Sequence, residues 1–161
     1  MTNPSNHAPV GGLPPQTQLL SGRAAFTTAY VVIPGDVMTD IVTSKLPFWS
    51  DSRFWVISRP LSGFAETFSQ YICEVMPGGG SERPEAEAQA QAVLFVIKGT
   101  LSLTLDGNTH NLEPGGYAYI APGSDWSVLN NSSSPVVFHW VRKIYEHVDG
   151  IDAPQSFVTN E

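Results

Sequence analysis

The chain has 161 residues, 42% of them hydrophobic and 14% charged, which suits one folded domain with a sizeable core and excludes a disordered composition. Eight Lys and Arg against 15 Asp and Glu give a net charge of −7; no nucleic acid and no membrane surface is expected as a partner, because phosphates and anionic lipids both select a basic face. The single cysteine, Cys73, makes no internal disulfide, no apolar run nears the roughly 18 residues of a membrane span, and the start, Met1-Thr2-Asn3-Pro4, lacks the basic and apolar regions of a signal peptide, so a cytoplasmic protein is expected.

Residues 1–24 are polar, rich in Pro and Gly and without period, and read as an N-terminal arm. Ala25 to Ile33 is a first strand candidate rich in β-branched and aromatic residues, and after the turn Pro34-Gly35-Asp36 the segment Val37 to Val42 could return as a second. An aromatic loop follows, Lys45 to Ser52, then Arg53 to Ser58. From Glu66 to Met76 the alternation is partial: Tyr71, Cys73 and Val75 fall on one side, with Phe68, Gln70, Ile72, Glu74 and Met76 on the other, and neither face is cleanly apolar. The segment Glu82–Gln91 has a helix-like composition, but Pro84 and the lack of an apolar face favour a polar loop across a barrel mouth. The runs Val93–Ile97, Leu101–Leu105, Thr109–Leu112, Tyr117–Ile120 and Val136–Tyr145 are separated by turn residues, and 148–161 reads as a linker or tail. Eight to ten short strands with Gly and Pro turns, and no convincing helix, predict an all-β fold over 25–147, with a rolled barrel favoured because it hides strand edges.

Gly78 to Asn130 carries the most specific spacing. Gly79, five residues, Glu85-Ala86-Glu87, four residues, Ala92, six residues and Gly99 form one series. Gly115, five residues, Ala121-Pro122-Gly123, two residues, Trp126, three residues and Asn130 form another. These two series resemble the paired signatures of the cupin superfamily, a double-stranded β-helix or jelly-roll barrel. The resemblance implies a metal site of three His and one Glu, and this chain departs from it at every ligand: Glu85 and Glu87 stand for the first two His, Ala92 for the Glu, and Trp126 for the last His.

Further runs narrow the resemblance. Phe68-Ser69-Gln70-Tyr71, Pro77 to Glu82, Val93 to Gly99, Gly115 to Tyr119, Phe138 to Glu146 and the ending Phe157 to Glu161 look like the N-terminal half of the (S)-ureidoglycine aminohydrolase family. That family is implied to be a two-cupin Mn-dependent hydrolase of allantoin (purine) breakdown, turning ureidoglycine into ureidoglycolate and ammonia. Its second cupin holds Mn and performs the chemistry, and its first is metal-free and structural. The sequence ends where the second cupin is expected, so no catalytic residue and no metal ligand carries over, and no cofactor is expected in this barrel.

The single residues fit that reading. Glu82, Glu85 and Glu87 are expected as solvated loop carboxylates, with an atypical carboxylate metal site as the rival. Trp126 reads as aromatic packing in the barrel mouth, or else as a stacking wall for a small planar ligand such as a ureido group. His139, between Phe138 and Trp140, is the one histidine placed to approach a pocket, although a hydrogen-bonded structural role is the plainer reading. Glu85, Glu87, Trp126 and His139 are therefore the candidate substrate-binding residues. A structural or oligomerisation half is expected, assembling as a homodimer or with a second cupin subunit. A free-standing module binding a small ureide is the alternative.

Overall fold

The computed structural model describes residues 25–27, 30–34, 44–59 and 67–160. The arm expected at 1–24 and the return strand expected at 37–42 lie outside the described residues. The first strand candidate is not one strand but two, β1 (Ala25–Phe26) and β2 (Val31–Val32), paired antiparallel. Thr27 makes the reversal: its amide and hydroxyl donate to the Tyr30 carbonyl at 3.0 and 2.9 Å, and its Oγ1 accepts the Tyr30 amide.

The barrel consists of β3 (Ser50–Ser58), β4 (Phe68–Ser81), β5 (Ala90–Lys98), β6 (Leu101–Leu105), β7 (Asn108–Leu112), β8 (Tyr117–Ile120), β9 (Trp126–Leu129), β10 (Val136–Ile144) and β11 (Phe157–Thr159). Neighbouring strands run in the order β11-β8-β5-β10-β4-β9-β6-β7, with β3 also on β4, and every pairing is antiparallel. No helix occurs among the described residues, and the sheet rolls into a nearly closed barrel.

The 14-residue β4 allows that roll because it belongs to both walls. Phe68 to Val75 pair with β10, and Gly80 and Ser81 pair with β9. Between them the chain turns at Pro77-Gly78-Gly79-Gly80. Gly80 sits at φ +148°, and a Cβ there would stand 2.1 Å from the Val128 carbonyl oxygen, so only glycine lets β4 lie on β9. The β6–β7 hairpin closes on Asp106-Gly107, both at positive φ (48° and 81°), as a two-residue type I′ turn requires.

Strand alternation fills the interior. In β5, Ala90, Ala92, Leu94 and Val96 are buried, while Phe95, Ile97 and Lys98 are exposed. In β10, Val136, Phe138 and Trp140 point inward between half-buried neighbours. In β4, Cys73 and Val75 belong to the core with Tyr71 packed against it, which resolves the face that alternation left open. The segment expected as a tail is not wholly one: β11 pairs with β8, and Phe157 stacks at 5.7 Å on Tyr117 and lies 5.9 Å from Tyr119. Three residues with a single pairing carry no periodic signal, so sequence could not show them.

Candidate functional site: the barrel mouth

The loop between β4 and β5 crosses the mouth, as its proline and polar composition predict. Pro84 anchors it from inside, where its carbonyl accepts the Trp49 indole N–H at 3.3 Å. Glu85 is not the solvated carboxylate that a loop glutamate suggests. Arg142, on the inner end of β10, donates to it through Nε and Nη2, the second at 2.9 Å, and the Glu85 side chain keeps only 10% of its exposure. A bidentate guanidinium–carboxylate pair of this kind fixes orientation as well as charge. Glu85 Oε1 also accepts the Glu87 amide at 3.0 Å, so the loop is folded on the same carboxylate. Glu82 and Glu87 remain exposed.

Beneath the loop the barrel is filled by rings. Trp126 is buried and meets Trp140 edge-on with centroids 6.0 Å apart. Trp49 lies 5.7 Å from Trp140 and 4.9 Å from Phe54, and Tyr71 lies 5.4 Å from Trp140. Such pairs add to the burial of their area, roughly 0.5–1.5 kcal/mol each. The ring of Trp126 thus occupies the corner where the cupin pattern places its last histidine.

These positions do not fit a divalent metal. Ala92 offers no donor and Trp126 offers an indole locked among other rings. The carboxylate of Glu85 is committed to Arg142, and Glu87 points to solvent. No three His, Cys, Asp or Glu converge among the described residues, whereas borderline metals want several nitrogen or carboxylate donors at once. Glu85, Glu87 and Trp126 do share one cavity of about 370 Å³, with Arg83 and Asp125 also on its wall.

His139 is not part of it. Its neighbours Phe138 and Trp140 face the core, so it projects from the opposite face of the sheet, in register with Ile72 on β4 and Phe95 on β5. Burial there lowers its imidazole below the ordinary value of 6.5, and Nδ1 is buried without a hydrogen-bond partner among the described residues. Cys73 is fully buried in the core, and burial pushes its thiol well above the ordinary range, away from nucleophilic chemistry. Asn130, the last residue of the second spacing, serves as a strut. It is completely buried and donates through Nδ2 to the Val75 and Ser134 carbonyls at 2.9 and 2.8 Å; its Oδ1 accepts from Ser132. Arg142 was missed by sequence reasoning, because its partner lies 57 residues away and no spacing links them; Trp49 is read from sequence as a core or interface ring, and its bond to Pro84 spans 35 residues.

Known proteins place this geometry. Residues 71–142 match the model of the Cupin domain family. (S)-Ureidoglycine aminohydrolase of Escherichia coli (strain K12) is 24% identical over 110 residues, which are 68% of this chain and 41% of that protein. A Pseudomonas aeruginosa protein described as glyoxylate-induced superposes with a TM-score of 0.79 at 58% identity, covering 96% of this chain and 56% of that one. The E. coli protein YlbA superposes at 0.76 with 22% identity, over 91% of this chain and 59% of that one, a likeness of fold alone. The chain therefore spans 41–59% of the length of these relatives. With its all-strand, nearly closed barrel and the match over 71–142, the chain carries a cupin domain.

Proposed function

We propose that this barrel is a metal-free structural cupin of a ureidoglycine aminohydrolase-type protein, acting in assembly rather than in catalysis. One observation carries the reading: the positions where a cupin gathers its ligands hold an Arg-bound glutamate, an exposed glutamate, an alanine and a packed tryptophan. The substrate family is supported by the curated relative. Ureidoglycine is a nitrogen adduct of glyoxylate, so the names of that relative and of the 58% identical protein meet on the same two-carbon skeleton.

The assembly role is supported by the outer face of β10, β5, β8 and β11. Phe95, Ile97 and Phe157 stand 40%, 43% and 50% exposed there, on a chain whose net charge is −7. An exposed apolar cluster on an acidic protein suits a partner with an equally apolar patch, and a second copy supplies one. The decisive experiment combines metal analysis of the purified chain with ammonia release from freshly generated ureidoglycine in the presence of Mn. The expected result is no stoichiometric metal and no ammonia above the uncatalysed rate. Stoichiometric Mn with ammonia release would overturn the proposal.

A further inference from the structure

The outer face of the small sheet β9-β6-β7 is lined with hydroxyls. Thr104 lies in register between Ser127 and Thr109, and the Thr104 and Thr109 Oγ1 atoms are 3.1 Å apart. Ser102 shares that face, since Leu101 and Leu103 on either side of it are in the core. Despite pointing away from the core, Ser102 is only 8% exposed. A side chain on an outer sheet face is that enclosed only where something stands over it, and here it lines a groove of about 740 Å³. Its hydroxyl makes no hydrogen bond among the described residues, so it is free to donate and accept in the groove.

Phe48 and Arg83 also line the groove. Phe48 holds a left-handed backbone, φ +67°, and its ring is 63% exposed with the Arg83 guanidinium 5.8 Å from the centroid. A bulky aromatic residue at positive φ costs on the order of 1 kcal/mol or more, and such outliers gather at ligand sites. Arg83 makes no ion pair among the described residues, and Glu82 at the rim adds an acceptor.

The geometry points to this groove as a binding site for a small polyhydroxylated carboxylate, a sugar acid. Each Ser and Thr hydroxyl both donates and accepts, matching ligand hydroxyls that do the same. Arg83 holds the carboxylate through charge-assisted hydrogen bonds, and Phe48 covers the C–H face of the ligand. The groove opens on the outer sheet face and meets the barrel-mouth cavity at Glu82 and Arg83, and it does not rest on the assembly role.

Calorimetric titration of the full chain with D-glucuronate tests it, with sorbitol and acetate presenting hydroxyls alone and carboxylate alone. Glucuronate is expected to saturate, and each of the other two to bind weaker by about tenfold or more. Arg83→Gln, an exposed change that leaves the fold intact, and Ser102→Ala are each expected to weaken glucuronate by about tenfold, while Glu113→Gln, an exposed change outside the groove, binds as the parent does. Absence of saturable heat with glucuronate overturns the site. So does binding left unchanged by both groove variants, binding lost in Glu113→Gln, or acetate as tight as glucuronate.

Discussion

At the residue scale, Glu85 and His139 are both removed from water, with opposite consequences. Arg142 meets the Glu85 carboxylate with two hydrogen bonds. Glu85→Gln leaves a guanidinium that is only 21% exposed facing a neutral amide. We expect a loss of about 2 kcal/mol, below the cost of breaking a fully buried pair because water still reaches the arginine. A lower urea midpoint at unchanged slope would show it, and an unchanged midpoint would mean that the pair does not hold the loop. His139 has no such partner among the described residues, and burial favours its neutral form. The unfolded chain then binds the proton more tightly than the folded one, and stability from this residue is complete above the unfolded value near 6.5 and drains as pH falls below it. Urea titrations at pH 7.5 and 5 should show a larger drop for the parent than for His139→Gln, and equal drops would remove the effect.

At the element scale, β10 and β5 each separate two chemistries across one strand. Their inward residues make the aromatic and aliphatic core, and their outward residues make the apolar face carrying Phe95 and Ile97. Under the proposed assembly role, Ile97→Lys on that face should convert a dimer to monomer in light scattering while leaving the melting temperature of the barrel nearly intact. A parent protein of 17.4 kDa at working concentration would already sink the homodimer. The strands themselves were legible where glycine and proline punctuate strong runs, from Val93 to Ile120. They were not legible at β4, where Glu74 and Gln70 blur the outer face because Glu74 is drawn into an ion pair with Arg53 at 2.5 Å. Nor was β11 legible, since it exists only through β8.

At the scale of the whole molecule, the sequence spacing located the barrel and the corners of its mouth, and it named the substitutions there. It could not say that Glu85 is held by a residue 57 positions away, nor that Trp49 reaches in from an earlier loop to complete the aromatic filling. Both depend on the roll that brings β3, β4 and β10 around one axis. His139 was misdirected for the same reason: its strand passes the mouth, but a period of two sends alternate residues to opposite walls. The hydroxyl groove left no trace in the spacing, because Ser102 and Thr104 read as ordinary strand residues until Phe48 and Arg83 are folded over them.

The packing of Trp49 and Trp126 around Trp140 has an optical consequence. Indoles held this close at fixed, tilted angles couple their electronic transitions, and the coupling vanishes when the rings rotate freely. Trp55 is buried apart from that cluster, on the other side of β3 from Phe54, with the Arg53 guanidinium 4.9 Å from its ring. The near-ultraviolet circular dichroism of this protein therefore reports the closure of the barrel itself, while Trp55 adds a fluorescence signal from outside that ring cluster.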